Sequence, residues 1–165
     1  MTPKISHSER IQNSFQKLAA AAANLNNISD ELAGPVEEIN SALKKLNIGV
    51  TAWTQMEGAD DTGLGGSEWW SRDIGYAKIG GKRGTALRTC SGDYSDPDHD
   101  NVDSWLFNEA PRWLRVLGIE HLPDLIEKLT AETDSTSKKI RDKIDHAKEL
   151  ALAIREAPST STKKK

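Results

Sequence analysis

The chain of 165 residues has a modest hydrophobic fraction of 36%, a charged fraction of 28% and a formal net charge of −3. Its acidic groups concentrate in the middle, where residues 49–104 carry five basic and ten acidic side chains. Because clustered Lys and Arg side chains bind a phosphate backbone, this distribution argues against a nucleic-acid polymer as a partner.

The sequence also lacks the segments that direct a chain to a membrane. No apolar run approaches the roughly 18 residues of a membrane span, and residues 1–10 lack the apolar centre of a signal peptide. Cys90 is the single cysteine, which excludes an internal disulfide and argues against a thiolate-based zinc site. We therefore expect an intracellular, cytoplasmic protein without a membrane partner.

A long helix is predicted at the start, over residues 6–33, because Ser6 and Glu9 match a capping box. Its apolar positions recur over 21 residues in six steps, which average 3.5 residues each. These positions are Ile11, Phe15, Leu18, Ala22, Leu25, Ile28 or Ser29, and Leu32. Such a seam requires a partner. Gly34 and Pro35 then predict a break and a second, shorter helix over 35–47.

The middle of the chain changes to a strand pattern, and a three-stranded antiparallel sheet is predicted over residues 49–92. Its strands are expected near residues 50–55, 69–79 and 83–90. A glycine-rich and aspartate-rich loop over 57–67 separates the first two strands, and Gly80-Gly81 connects the last two.

The length of the turn at Gly80-Gly81 decides which side chains share a face. A turn of two residues sets Asp73 directly across from Arg88, and a turn of three residues reverses the faces. With two or four residues, one face is expected to be core, and its members are Trp70, Ile74, Tyr76, Thr85, Leu87 and Thr89. The opposite face then carries Trp69, Asp73, Gly75, Ala77, Ala86, Arg88 and Cys90.

Two further helices are predicted after a polar loop over residues 91–103. A short one covers 103–118, with Asn108 as its cap, and a long one covers 122–157. The stripe of the long helix advances 32 residues in nine steps, about 3.6 residues each. Its positions are Leu122, Leu125, Leu129, Thr133, Thr136, Ile140, Ile144, Ala147, Ala151 and Ile154. Residues 158–165 are expected to form a disordered basic tail.

These elements predict an α+β fold in a single domain over residues 1–157. At a rise of 1.5 Å per residue, the terminal helices would be about 40 and 50 Å long, longer than three short strands can cover. We therefore expect the two to pack antiparallel against each other, with the small sheet and the two short helices at one end. The expected pairing residues are Ile11, Phe15, Leu18, Leu25, Leu129, Ile140, Ile144 and Ile154.

The tryptophans indicate a possible ligand site. Adjacent Trp69 and Trp70 must point to opposite faces of a strand, so one is expected in the core. The other either lies under a helix or forms an exposed platform. A platform near Arg72, Lys78 and Arg88 could stack a base while a cation binds its phosphate.

A second candidate site is the acidic loop. Asp96, Asp98 and Asp100 imitate the opening of a calcium-binding loop, but Phe107 stands where the bidentate glutamate should be. A solvated loop is the favoured interpretation, with weak divalent binding as the alternative. Cys90 has no histidine nearby in sequence, so a Cys–His pair would depend on the fold.

The sequence thus favours a non-enzymatic assembly protein. Its paired long helices would mediate formation of a homo-oligomer or binding of a protein partner, and no cofactor is implied. The alternative is a protein that binds a small ligand or a nucleotide on the tryptophan-rich sheet. A metal-dependent hydrolase that uses the acidic loops is a more distant possibility.

Overall fold

The computed structural model describes residues 6–60 and 65–156. In chain order its main elements are α1 (His7–Glu31), α2 (Ala33–Leu46), β1 (Ala52–Asp60), β2 (Glu68–Ile79), β3 (Lys82–Asp93), β4 (Asn101–Leu106), α3 (Arg112–Glu120) and α4 (Leu122–Glu156). Short 3-10 helices at Pro97–His99 and Phe107–Glu109 flank β4. The predicted α+β class is confirmed. The predicted tail over 158–165 lies outside the described residues.

The four strands form one antiparallel sheet in the order β1-β2-β3-β4. Between β2 and β3 the chain turns in two residues, Gly80 and Gly81, whose φ values of 55° and 87° suit glycine. This turn pairs Ile79 with Lys82 and sets Asp73 across from Arg88. The register predicted for a two-residue turn is therefore confirmed.

The prediction of three strands was wrong, because β4 was assigned to the polar loop and to a helix over 103–118. β4 pairs with β3 from Ala86–Leu106 to Ser91–Asn101. Its polar residues, Asn101, Asp103 and Ser104, do not show the alternation of apolar and polar side chains that is typical of a strand. The α-helix that follows starts only at Arg112. β1 likewise continues to Asp60 and β3 to Asp93, into segments predicted as loops.

One face of the sheet is covered by helices, and we call it the helix-covered face. It buries Ala52, Ile74, Tyr76, Thr85 and Leu87, as predicted for the last four. Trp70, also predicted in the core, was not buried there: it lies on this face but is 39% exposed. The helices supply Val36 and Leu43 from α2, Leu114 from α3, and Leu125 and Leu129 from α4. Gly118 lets α3 approach the sheet, because a Cβ there would lie 2.8 Å from the Leu87 side chain. The core thus lies between this face and three helices.

Helix α2 also completes the edge of strand β3. Asn40 is buried on α2, and its Oδ1 accepts a 2.7 Å hydrogen bond from the backbone N–H of Thr85. Thr85 lies one residue before the segment that β4 pairs with. The side chain therefore satisfies a donor that the short fourth strand cannot reach.

The two long helices form, but they do not pack along each other within the chain as expected. In α1, residues 6–28 are all exposed, and in α4 residues 137–156 are all exposed. Leu129, expected at the helix pair, is instead 3% exposed in the core against the sheet. The first part of α4 is thus used to cover the sheet, and the two free parts do not bury their apolar seams against each other.

None of the helices in the described parts of the chain is both long enough and apolar enough to cross a membrane.

Candidate functional site

The free parts of α1 and α4 each carry an apolar stripe that lies in water. The α1 stripe comprises Ile11, Phe15, Leu18, Ala22 and Leu25, and the α4 stripe comprises Ile140, Ile144, Ala147, Ala151 and Ile154. Phe15 is 69% exposed and Ile154 is 72% exposed. A contiguous exposed apolar surface is typical of an interaction site rather than of an isolated monomer.

Both stripes are held at the end that lies near the sheet. At the C-terminal end of α1, Arg112 of α3 donates a 2.7 Å hydrogen bond to Asn26, and Arg115 reaches the carbonyl of buried Ser29 at 3.5 Å. At the N-terminal end of α4, Leu125 and Leu129 are buried in the core. The free end of α1 is therefore its N-terminus, and the free end of α4 is its C-terminus.

The two stripes differ in the charge of their borders. Between residues 11 and 28 of α1, Lys17 is the one charged residue, and glutamine, asparagine, serine and alanine fill the positions around the stripe. The α4 stripe, in contrast, is bordered mainly by basic side chains, with Lys143 on one side and Arg141, Lys148 and Arg155 on the other, where Asp145 pairs with Lys148 at 3.7 Å. The α4 surface is thus apolar along its centre, and basic side chains outnumber the one acidic side chain along its margins.

The face of the sheet opposite the helices is here called the tryptophan face, and it contributes none of the residues of the core cluster. On it, Trp53 of β1 lies across Gly75 of β2, where a side chain would clash with the indole. The Arg88 guanidinium lies 4.3 Å from the Trp53 ring and donates a 2.7 Å hydrogen bond to Asp73. Asp73 is 5% exposed, so Arg88 neutralises a buried carboxylate.

A second arginine lies between aromatic rings at the far end of the helix-covered face. The Arg72 guanidinium is 4.8 Å from the Trp70 ring and 4.6 Å from the ring of Trp113 on α3. It also forms an ion pair with Glu57. A β-bulge between Gln55 and Glu57 places that carboxylate opposite Arg72.

The residues proposed for ligand binding are split between the two faces of the sheet. Trp69 and Arg88 lie on the tryptophan face, whereas Trp70, Arg72 and Lys78 lie on the other, in agreement with the strand geometry. Both guanidiniums are paired with carboxylates. The five residues therefore lie on two separate faces, and the guanidiniums of Arg72 and Arg88 are already paired.

An open hollow of about 580 Å³ lies at the end of the sheet, beside Trp69 and Trp70. Glu68, Asp93 and Asp96 line it together with His99, and none of the lysines or arginines in the described segments does. Hydrogen bonds from Ser67 and Ser95 lower the pKa of Asp93 below its ordinary value. The hollow is thus acidic, which disfavours the phosphate of a nucleotide.

The three aspartates proposed as metal ligands have separate surroundings. Asp96 pairs with His99 at 2.7 Å, Asp100 lies beside Gly92, and Asp98 is exposed. Among residues 6–60 and 65–156, no three His, Cys, Asp or Glu side chains form a group that could hold a metal ion. Cys90 is buried 3.9 Å from Asp73, and the described contacts give it no histidine partner.

We compared the chain with family models, curated proteins and solved structures. No family model, curated protein or solved structure matches the chain.

Sequence reasoning identified both stripes but missed the features that distinguish them. The basic margins of α4 could have been recognised by writing the stripe as a heptad and reading the positions beside it. The contact between Trp53 and Arg88 joins residues 35 positions apart in the chain. The indole of Trp53 fits there because Gly75 has no side chain, and this arrangement depends on the pairing of β1 with β2, which no local pattern predicts.

Proposed function

We propose that this protein is a non-enzymatic assembly module that associates with a second copy of itself through the free parts of α1 and α4. The observation that carries the proposal is the exposure of large apolar side chains at regular helical positions on both helices. Those side chains have no role in the core, because the helices that cover the sheet use other residues.

The magnitudes favour association through more than one helix pair. A fully buried leucine, isoleucine or phenylalanine contributes roughly 1.5–3 kcal/mol. Seven large side chains, the number in one α1 stripe plus one α4 stripe, therefore contribute on the order of 10 kcal/mol. Lost translational and rotational freedom costs about 4–15 kcal/mol. A dimer with two helix pairs doubles the free energy gained by burial, while the cost in translational and rotational freedom is incurred once.

The free parts of the helices also gain order by associating. Most helical stability in proteins comes from packing of an apolar face rather than from helix propensity alone. The exposed parts of α1 and α4 have little tertiary packing of their own. Contact with a second copy would supply it.

Binding of a nucleotide on the tryptophan-rich sheet has less support. Arg72 and Arg88 already neutralise Glu57 and Asp73, and the hollow beside Trp69 is lined by carboxylates. A phosphate that binds Arg72 or Arg88 would have to displace the carboxylate of Glu57 or Asp73.

The proposal is tested by Leu18→Asp, which places a charge in the centre of the α1 stripe. Leu18 is exposed in the single chain, so its fold should persist, whereas burial of the carboxylate in a dimer should weaken association about 100-fold, or roughly 3 kcal/mol. Sedimentation velocity over a range of concentrations measures this change, and circular dichroism verifies the fold.

Gln16→Asp is the matched control, because it adds the same charge to α1 outside the stripe. It should leave association nearly unchanged. A wild-type protein that sediments as a monomer at every accessible concentration would contradict the proposed function.

A further inference from the structure

The two stripes have the same spacing when both are followed from N- to C-terminus. The steps in α1, from Ile11 to Leu25, are 4, 3, 4 and 3 residues, and the steps in α4, from Ile140 to Ile154, are also 4, 3, 4 and 3. In-register heptad seams of this kind match layer by layer when two helices run parallel. The α1 and α4 stripes are therefore suited to a parallel pair.

Within one chain the two helices cannot adopt that parallel arrangement side by side. Helix α1 ends near the sheet at Ser29, whereas α4 begins there at Leu125. If they lay beside each other in one molecule they would run antiparallel. Two copies whose free helices point toward each other, however, bring α1 of one and α4 of the other together in parallel.

Charge disfavours the simplest alternative for α4, which is pairing with its own counterpart. In a parallel pair, Lys143 would face Lys148 of the partner subunit across the seam. In an antiparallel pair the same basic margins would also meet. Like charges along a helix interface oppose pairing, so α4 needs a partner of different composition.

The α1 stripe meets this requirement. Its borders are uncharged apart from Lys17, so they do not repel the basic margins of α4. Pairing of α1 with its own counterpart carries no charge penalty, but it would leave the whole α4 stripe in water. Pairing of α1 of one copy with α4 of the other covers both stripes.

On the basis of the proposed function, we infer that each α1 stripe pairs in parallel with the α4 stripe of a second copy, so that a two-fold symmetric dimer contains two such pairs. The matched layers place Ile11 against Ile140 and Phe15 against Ile144. They place Leu18 against Ala147, a large residue against a small one. The interface is isologous, and each copy contributes both kinds of stripe.

Single-cysteine variants test this pairing by forming disulfides between layers. Leu18→Cys and Ala147→Cys are made separately, mixed as reduced proteins, and oxidised with oxidised glutathione, which accepts the two electrons and two protons of the thiol pair. The inference predicts a mixed disulfide dimer in about tenfold excess over either symmetric disulfide. Intact mass identifies each product.

Two controls accompany the mixture. The wild-type chain retains only buried Cys90 and should form no disulfide. Glu149→Cys lies on the same free part of α4 but away from the stripe, and its mixture with Leu18→Cys should give no mixed product.

The remaining outcomes overturn the inference in distinguishable ways. A symmetric disulfide of Leu18→Cys in place of the mixed one would show pairing of α1 with α1. The proposed self-association would then hold, and the inferred pairing of α1 with α4 would be wrong. A variant that carries both Leu18→Cys and Ala147→Cys distinguishes closure within one chain: an intramolecular disulfide in it, with no mixed disulfide between the single variants, would show that α1 pairs with α4 of the same chain. Absence of any disulfide, with monomeric sedimentation, would remove the proposed function as well.

Discussion

At the scale of single residues, Gly75 determines how the tryptophan face is built. The Trp53 indole occupies the space in which a side chain at position 75 would lie, and the carbonyl oxygen of Ala52 is 2.7 Å from the same point. Because one of these neighbours is backbone, it cannot move aside without disturbing the pairing of β1 with β2.

Gly75→Ala should therefore lower the free energy of unfolding by about 1–3 kcal/mol through overpacking. Urea unfolding followed by circular dichroism measures the change. Gly34→Ala is the control, because no atom lies within 4 Å of the added carbon, and it should leave stability unchanged or slightly higher. An equal response of the two variants would contradict the position of Trp53.

Asp93 gives the molecule a specific response to acid. Its pKa is lowered from the ordinary value of 3.8, mainly by the hydrogen bond from Ser67 and then by those from Ser95. A carboxyl with a depressed pKa in the folded state contributes stability above its unfolded pKa, and loses that contribution as pH falls through the folded value.

The stability difference between wild type and Asp93→Asn should therefore be constant above the ordinary pKa and shrink as the pH falls below 3.8. Carboxyl carbon chemical shifts give the pKa directly, and Ser67→Ala should raise it. A titration midpoint at or above 3.8 in the wild-type protein would show that these hydrogen bonds do not hold the carboxylate.

At the scale of elements, Asn40 joins helix α2 to the edge of β3. Asn40→Ala removes the acceptor of the Thr85 N–H, which lies in a buried environment, and should cost about 1–3 kcal/mol of unfolding free energy. Thermal or urea unfolding measures this loss. Ser41→Ala, at an exposed position on the same helix, should change stability little; a similar loss in both would assign the effect to helix propensity instead.

Helix periodicity predicted α1, α2 and α4 to within two residues at each end, because both long helices repeat their apolar positions over many turns. Strand β4 was not predicted. Among its six residues, Asn101 to Leu106, the first four include one apolar side chain, Val102, and partial burial starts only at Ser104. Its identity depends on hydrogen bonds to β3, a partner ten or more residues away.

Periodicity also could not reveal where α4 leaves the sheet. The same repeat continues from Leu125 and Leu129, which are buried, to Ile140 and Ile154, which are exposed. The apolar repeat indicates that this face of α4 packs against a partner. The structure shows that the sheet is that partner for the first turns of α4 only. The ligand site predicted around Trp69 and Trp70 stays a prediction. The two indoles lie on opposite faces, as expected for adjacent strand residues, with Arg72 and Lys78 on the face of Trp70 and Arg88 on the face of Trp69.

At the scale of the whole molecule, the helices divide the protein into a packed part and two free helical parts. The packed part consists of the sheet, α2, α3 and the beginning of α4, and its core is complete without the stripes. The free parts expose seven large apolar side chains along their stripes. In the proposed dimer these parts carry the association while the sheets remain separate.

Amide hydrogen exchange of wild type and Leu18→Asp is the most direct test that the stripes cover each other between copies. The dimer predicts that the substitution on α1 raises exchange not only in residues 7–28 but also in residues 137–156 of α4, by about tenfold or more at a fixed protein concentration. The strands β2 and β3 should be unaffected. The free part of α4 does not bury its stripe on α1 within one chain, so unchanged exchange in α4 would contradict the proposal.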